Sequence, residues 1–139
     1  MGVQTLENEA MGTVFHVTVA SDSDKYARQA AAAAFEELAR LETLLSSFIE
    51  NSDISQLNRL APDTSEIVDV DTYQCLQVAL DVERRTRGAF NIAYGSDSRL
   101  KGADAIELLT KPCRVRALSS GVRLDLGGIG KGFALDRMA

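Results

Sequence analysis

The sequence predicts an α+β fold, and three observations support that class. One strand-like pattern and one long helical pattern occupy the first third of the chain. Shorter helical and strand-like patterns follow without a regular β-α-β alternation, and a glycine-rich turn joins a strand to a helix near the C-terminus. Regular alternation would favour a parallel sheet, so its absence favours α+β. A chain of 139 residues is expected to form a single domain over residues 1–139.

Composition excludes several functional classes. The net charge of -5 at pH 7 argues against nucleic-acid binding, which normally needs a basic face. No apolar run approaches the roughly 18 residues of a membrane span. Residues 1–5 lack the basic and apolar regions of an export signal, which predicts a cytoplasmic location, or a periplasmic one if a leader precedes the printed sequence. Cys75 and Cys113 stand far apart and outside any C-x-x-C motif, so we expect two unpaired thiols in a reducing compartment.

The first third of the chain predicts a strand followed by a long helix. Residues 13–20 (T-V-F-H-V-T-V-A) are β-branched and aromatic with near alternation, which is typical of a strand. His16 is the only histidine, and without ligating neighbours it is expected to be a packing or rim residue. Asp22 or Ser23 is expected to cap a helix that runs to about residue 45. Its apolar stripe recurs every three or four residues and consists of Ala27, Ala31, Ala34, Phe35, Leu38, Leu41 and Leu45.

Shorter elements are predicted in the middle of the chain. Asn51 or Ser52 is expected to cap one or two turns of helix. A capping-box variant beginning at Asp71 predicts a helix to about Thr86, with Gly88 as the residue that follows its C-cap. Short strands are expected at residues 66–70, 89–94, 114–118 and 122–126, the last two as a hairpin, and a brief helix at residues 102–109.

The glycine-rich stretch at residues 124–133 (L-D-L-G-G-I-G-K-G-F) carries the strongest chemical signal. It predicts a strand that ends at Leu126, a turn, and a helix from about Phe133. Glycine amides, the helix N-terminus and the charge of Lys131 would suit a phosphate or pyrophosphate, while Asp125 could accept hydrogen bonds or lie beside a metal. The spacing matches neither the P-loop nor the dinucleotide fingerprint. A tight connection whose glycines only permit close packing is the alternative.

Four separated stretches occur in an order that points to one family. They are Met11-Gly12-Thr13, Ser47-Phe48 with Ser52-Asp53-Ile54-Ser55-x-Leu57-Asn58, Thr86-x-Gly88-Ala89-Phe90, and D-L-G-G-I-G-K-G at residues 125–132. Together they resemble the ApbE family, the FAD:protein FMN transferases once called thiamine-biosynthesis lipoproteins. The resemblance covers essentially the whole chain but only the N-terminal half of the family's domain, which implies an incomplete ApbE-like domain.

The resemblance implies a Mg²⁺-dependent enzyme that splits the pyrophosphate of FAD. It would move FMN onto a Thr or Ser hydroxyl of an acceptor flavoprotein and release AMP. Such chemistry depends mainly on positioning and charge neutralisation. Met11 and Phe48, taken singly, are also compatible with core positions. The family's FAD contacts, carried over residue by residue, would be Met11, Phe48, Ala89, Phe90, Asn91, Asp125 and Lys131, and Gly128 would offer its backbone carbonyl to Mg²⁺.

The sequence departs from the family pattern at several positions. The family's T-D-G-A-F-D reads T-R-G-A-F-N at residues 86–91, so Arg87 and Asn91 replace two carboxylates, and G-S-D-S at residues 95–98 replaces the usual G-P-L. The family's side-chain metal ligands, an Asp and a Thr, have no counterpart here, so these residues alone are not expected to transfer FMN. Two alternatives stay open: a non-catalytic flavin- or nucleotide-binding fragment, and a subunit that pairs with a separate C-terminal half or forms a homo-oligomer.

Overall fold

The chain is described from a computed structural model, which covers residues 2–96 and 100–139. Residue contacts divide it into two compact units. The first unit comprises Met1–Glu42 with Lys131–Ala139, and the second comprises Thr43–Gly130. The single-domain expectation for residues 1–139 stays a prediction. The part of the predicted G-S-D-S segment at residues 97–98 lies outside the described residues.

A two-stranded antiparallel hairpin begins the first unit. It consists of β1 (Gly2–Ala10) and β2 (Thr13–Ser21), which pair residue for residue along their full lengths. The strand predicted at residues 13–20 is confirmed, whereas β1 was not predicted. Its side chains are largely polar and exposed, so β1 shows no clear alternation and is a strand because β2 pairs with it. His16 is exposed and lies opposite Glu7, with 4.0 Å between its Nδ1 and Glu7 Oε1.

Helix α1 (Asp24–Leu45) confirms the predicted long helix. Ser23 caps it, since its Oγ accepts a hydrogen bond from the Tyr26 N–H at 3.2 Å. Helix α5 (Gly130–Met138) begins three residues before the predicted Phe133, so that part of the glycine-rich stretch is already helical. The Arg137 guanidinium lies 4.9 Å from the centroid of the Phe133 ring. The predicted stripe of α1 is buried at Ala27, Ala31, Leu38, Leu41 and Leu45.

Two helices of the second unit begin at side-chain caps. Ser52 caps α2 (Asp53–Leu57), as one of the two predicted caps. Asp69, rather than Asp71, caps α3 (Val70–Arg85), because its Oδ1 accepts from the Asp71 N–H at 2.9 Å. The predicted strand at residues 66–70 is therefore wrong at its end, which is the first turn of α3. In the middle of α3, burial raises the pKa of the Cys75 thiol to about 12.

A Schellman motif terminates α3. The Arg87 N–H donates to the Arg84 carbonyl at 3.2 Å, and the Gly88 N–H donates to the Glu83 carbonyl at 2.8 Å. Arg87 takes the left-handed conformation, with φ of 54°, directly after the C-cap Thr86. The prediction that Gly88 holds this position is wrong by one residue, because these two bonds place Gly88 one step further along.

The second unit also contains a three-stranded antiparallel sheet in the order β3-β5-β4. Its strands are β3 (Ser65–Ile67), β4 (Ile106–Leu109) and β5 (Arg114–Ala117), and α4 (Gly102–Ala105) leads directly into β4. The predicted helix at residues 102–109 is thus correct only for its first half. The predicted hairpin of residues 114–118 with 122–126 is wrong, since β5 pairs with β3 and β4.

Residues 89–94 and 122–126 form no strand, contrary to prediction. The first segment is a series of turns, in which the Tyr94 N–H donates to the Asn91 carbonyl at 3.2 Å. The second is held by a side chain and a loop carbonyl instead of a neighbouring strand. Both cysteines are free, as predicted. Within the described residues, none of the helices combines the length and hydropathy of a bilayer-spanning segment.

Candidate functional site

The glycine-rich loop is closed by its own hydrogen bonds. Asp125 Oδ1 accepts from the Gly127 N–H at 2.8 Å. The Leu126 carbonyl accepts from the N–H groups of Ile129 at 3.0 Å and Gly130 at 2.6 Å. Two of the glycine amides that were expected to face an anion, those of Gly127 and Gly130, are therefore engaged inside the turn, and so is the amide of Ile129. This pattern explains why α5 starts as early as Gly130.

The exposed backbone of Gly128 is the part of the loop that remains for a ligand. Its N–H has no acceptor among the described residues. A β-carbon at this position would lie 3.3 Å from Phe90 Cε2, so the loop and the Phe90 ring are in close contact. The Asp125 N–H also donates to the Ile92 carbonyl at 2.9 Å. The structure thus brings the predicted residues Phe90, Asp125 and Gly128 together in the second unit.

Ala89 and Asn91 flank the Phe90 ring. Ala89 is exposed, whereas the Asn91 carboxamide is half-buried and engaged within the chain. Asn91 Nδ2 donates to the Leu100 carbonyl at 2.8 Å, and its Oδ1 accepts from the Ala93 N–H at 2.9 Å. The side chain therefore shapes the turn at residues 91–94. The FAD contacts that the resemblance assigns to both residues stay predictions.

Phe48 lies in the turn before α2 and is 97% exposed. The core position considered for it is therefore wrong. Two buried hydroxyls hold the turn: Ser52 Oγ donates to the Ser46 carbonyl at 2.6 Å, and Ser55 Oγ donates to the Ile49 carbonyl at 2.6 Å. A water-exposed aromatic ring on a firmly bonded turn is well suited to contact a planar ligand.

Asn58 is a positioning residue that the sequence analysis did not assign. Its Nδ2 donates to the Leu124 carbonyl at 3.1 Å, and its Oδ1 accepts from the Leu124 N–H at 2.7 Å. One carboxamide thereby replaces a neighbouring strand for the segment that carries Asp125. The available signal was its place at the end of the Ser52–Asn58 motif, directly after a short helix.

Met11 and Lys131 belong to the first unit. Met11 occupies the hairpin turn with φ of 51°, and its N–H donates to a carboxylate oxygen of Glu42. Met11 and Glu42 both line a pocket of ≈ 480 Å³ formed by the turn and α1. Lys131 is the second residue of α5 and is half-buried. The FAD contacts that the resemblance assigns to Met11 and Lys131 stay predictions.

The described residues do not supply a complete Mg²⁺ site. They contain no group of three or more His, Cys, Asp or Glu side chains able to hold a metal. Mg²⁺ requires near-octahedral oxygen coordination. The Asp125 carboxylate, already bonded to Gly127, and the Gly128 carbonyl fall short of that set. The Mg²⁺ contact of Gly128 therefore stays a prediction.

Comparison with known proteins identifies the family. The sequence model of the ApbE family matches residues 11–139. The chain belongs to the ApbE family. It is 30% identical to the FAD:protein FMN transferase of Treponema pallidum, over an alignment that covers 92% of this chain and 43% of that protein.

Solved ApbE structures show the same fold. The ApbE protein of Thermotoga maritima superposes with a TM-score of 0.85 at 27% identity, over 99% of this chain and 51% of that one. The flavin transferase ApbE of Vibrio cholerae gives 0.84 at 15% identity, over 99% and 52%. The predicted ApbE-like α+β fold is confirmed. This ApbE chain spans about half the length of the relatives that it matches.

Proposed function

We propose that this ApbE chain carries the flavin-nucleotide-binding part of an FAD:protein FMN transferase. The reaction would move FMN from FAD to a Thr or Ser hydroxyl of an acceptor flavoprotein. The name of the Treponema pallidum relative supports the reaction class. The observation that carries the proposal is the contact between the Phe90 ring and the Gly128 backbone, because it joins two separate family motifs into one surface.

The residues of this surface suit the parts of FAD. The exposed Phe48 ring would stack on a planar ring of the dinucleotide, and Ala89 and Phe90 would line its path. The unpartnered Gly128 N–H would donate to a pyrophosphate oxygen. Asp125 would hold the loop in shape through its bond to Gly127. Bound FAD itself supplies the phosphoanhydride bond that is broken in the reaction.

FAD titration of the full chain, followed by flavin fluorescence, tests the binding step. Phe48→Ala is expected to weaken FAD binding by about 1–3 kcal/mol, because the ring offers stacking area with little packing against the chain. Lys131→Ala is expected to weaken it by a similar amount, because it removes a charge-assisted contact with FAD. Tyr26→Ala removes another exposed aromatic ring and should leave the affinity unchanged.

Equal FAD affinity in wild type and both variants would reduce the loop to a structural turn and contradict the proposal. Transfer is tested separately, by incubating the chain with FAD, Mg²⁺ and a peptide bearing a D-G-A-T-type acceptor. No covalent flavin fluorescence on a denaturing gel is expected from this chain alone, and a labelled peptide would contradict that expectation. FAD bound without a metal would favour the non-catalytic alternative, and a solution mass near twice that of the monomer would favour self-association.

A further inference from the structure

A cleft in the second unit lies between the end of α3 and the start of α4. Its volume is ≈ 610 Å³, which is within the range of about 300–1,000 Å³ that is usual for small-molecule sites. Five charged residues line it: Asp81, Glu83, Arg84, Arg87 and Lys101. None of the residues predicted to contact FAD is among its lining residues.

The carboxylates of this cleft are already engaged. Glu83 is buried, and its Oε1 and Oε2 accept from the N–H groups of Gly102 at 2.7 Å and Ala103 at 3.2 Å. Asp81 pairs with Arg84 and with Arg85, whose Nε lies 2.8 Å from Asp81 Oδ2. The hydrogen bond from Arg84, together with the charges of both arginines, holds the pKa of Asp81 below its usual value. Within the described residues, neither carboxylate therefore pairs with Arg87 or Lys101.

Two cations remain in the cleft. Arg87 and Lys101 are exposed and have neither an ion pair nor a side-chain hydrogen bond within the part of the chain that the structure describes. The Lys101 side chain crosses Gly88, since its Cε and Nζ lie 3.4 Å and 3.7 Å from where a β-carbon on that glycine would be. Gly88 thus leaves room for the aliphatic part of Lys101 to lie along the rim of the cleft.

Arg87 occupies a position that normally favours glycine. It is the left-handed residue of the Schellman motif, with φ of 54°, and a β-carbon is unfavourable in that conformation. A positive charge near a helix C-terminus interacts well with the helix dipole, but Arg84 and Arg85 already supply it in the last turn of α3. Strained residues of this kind concentrate at functional sites.

We propose that this cleft binds a small phosphate-bearing anion, with Arg87 and Lys101 as its ligands. A guanidinium can donate two parallel hydrogen bonds to phosphate oxygens, and an ammonium adds a mobile point charge. Neither cation pairs with a carboxylate of the described residues, so a bound anion would break no ion pair among them. The site is independent of the flavin surface. The anions that it would bind are inorganic phosphate, pyrophosphate or a small phosphate ester.

Calorimetric titration of the full chain with inorganic phosphate and with pyrophosphate, at constant ionic strength, tests the site. Saturable binding is expected in the wild type. Arg87→Gly and Lys101→Gln should each weaken it at least tenfold. Arg87→Gly should do so while keeping or raising Tm, because glycine relieves the left-handed strain. The matched control is Arg28→Gln, which removes an exposed positive charge from α1, outside the cleft, and it should bind as the wild type does.

Three results would overturn the proposal: no saturable binding in the wild type, unchanged affinity in Arg87→Gly and Lys101→Gln, or an equal loss in Arg28→Gln. The last would mean that general positive charge attracts the anion. FAD titration of the same variants separates this site from the flavin surface. Unchanged FAD affinity together with lost phosphate binding supports two separate sites, whereas parallel loss of both overturns the independent site.

Discussion

Single polar side chains form hydrogen bonds with backbone groups that neighbouring backbone would satisfy in a more regular structure. Asn58 satisfies both backbone groups of Leu124, and Glu83 satisfies the first two N–H groups of α4. A buried backbone group that loses its partner keeps the cost of desolvation, so such side chains have larger effects than their size suggests. In this chain they also hold segments that adjoin the two candidate sites.

Asn58→Ala is expected to lower the free energy of unfolding by about 1–3 kcal/mol, because it leaves the Leu124 N–H and carbonyl without partners. Urea denaturation followed by circular dichroism measures the loss. Asn51→Ala is the matched control, because Asn51 is exposed. Its backbone carbonyl accepts a hydrogen bond from Gln56 Nε2, and the substitution keeps that carbonyl. A loss no larger in Asn58→Ala than in Asn51→Ala would show that water replaces the carboxamide without cost.

Helix ends show how local and tertiary signals combine at the level of elements. The starts of α1 and α2 follow local capping rules at Ser23 and Ser52. The end of α3 does not, because a left-handed arginine stands where glycine is usual. The conformation is maintained by two backbone bonds and by packing around Gly88, while the intrinsic preference of the residue opposes it.

Glycine substitutions at the end of α3 test this conformational preference. Arg87→Gly is expected to raise the free energy of unfolding by about 0.5–1 kcal/mol, because glycine adopts the left-handed conformation without a β-carbon penalty. Arg85→Gly, two residues earlier and helical, is expected to lower it by about 1 kcal/mol. Thermal and urea unfolding measure both. A lower stability in Arg87→Gly would show that the arginine makes a stabilising contact in the fold.

For the molecule as a whole, buried apolar contacts are unevenly distributed between the elements. The strands β1 and β2 pair with each other and with no other strand in residues 2–96 and 100–139. Most of their side chains are exposed or half-buried. Helix α3 and strand β5 instead contain fully buried positions, including Leu76 and Val115. Two-stranded hairpins are marginally stable when they lack further packing.

Hydrogen exchange monitored by mass spectrometry should therefore show two classes of amides. Peptides from β1 and β2 are expected to exchange by local opening, well before peptides from α3, which should need larger openings of the second unit. The internal reference is the Cys75–Ala79 stretch of α3, whose ends are fully buried. Protection of the hairpin equal to that of α3 would contradict this ordering and would indicate that the hairpin is covered in solution.

Local patterns were enough for the fold class, the long helix and the family. The α1 stripe and the caps at Ser23 and Ser52 depend on residues within one or two turns, and the four motifs are short and ordered. These patterns can be interpreted without knowing which segments of the chain pack against them. Helix periodicity and capping are carried by neighbouring residues, so they are readable without a structure.

Tertiary contacts decided the elements that the sequence left ambiguous. Residues 106–109 became β4 because β5 lies beside them, and residues 122–126 formed no strand because Asn58 occupies the place of a neighbour. Strand pairing joins residues that are distant in sequence, so weakly alternating segments carry no local record of it. The same holds for the cleft of Arg87 and Lys101: its charges are visible in the sequence, but only the fold shows that no carboxylate of residues 2–96 and 100–139 pairs with either cation.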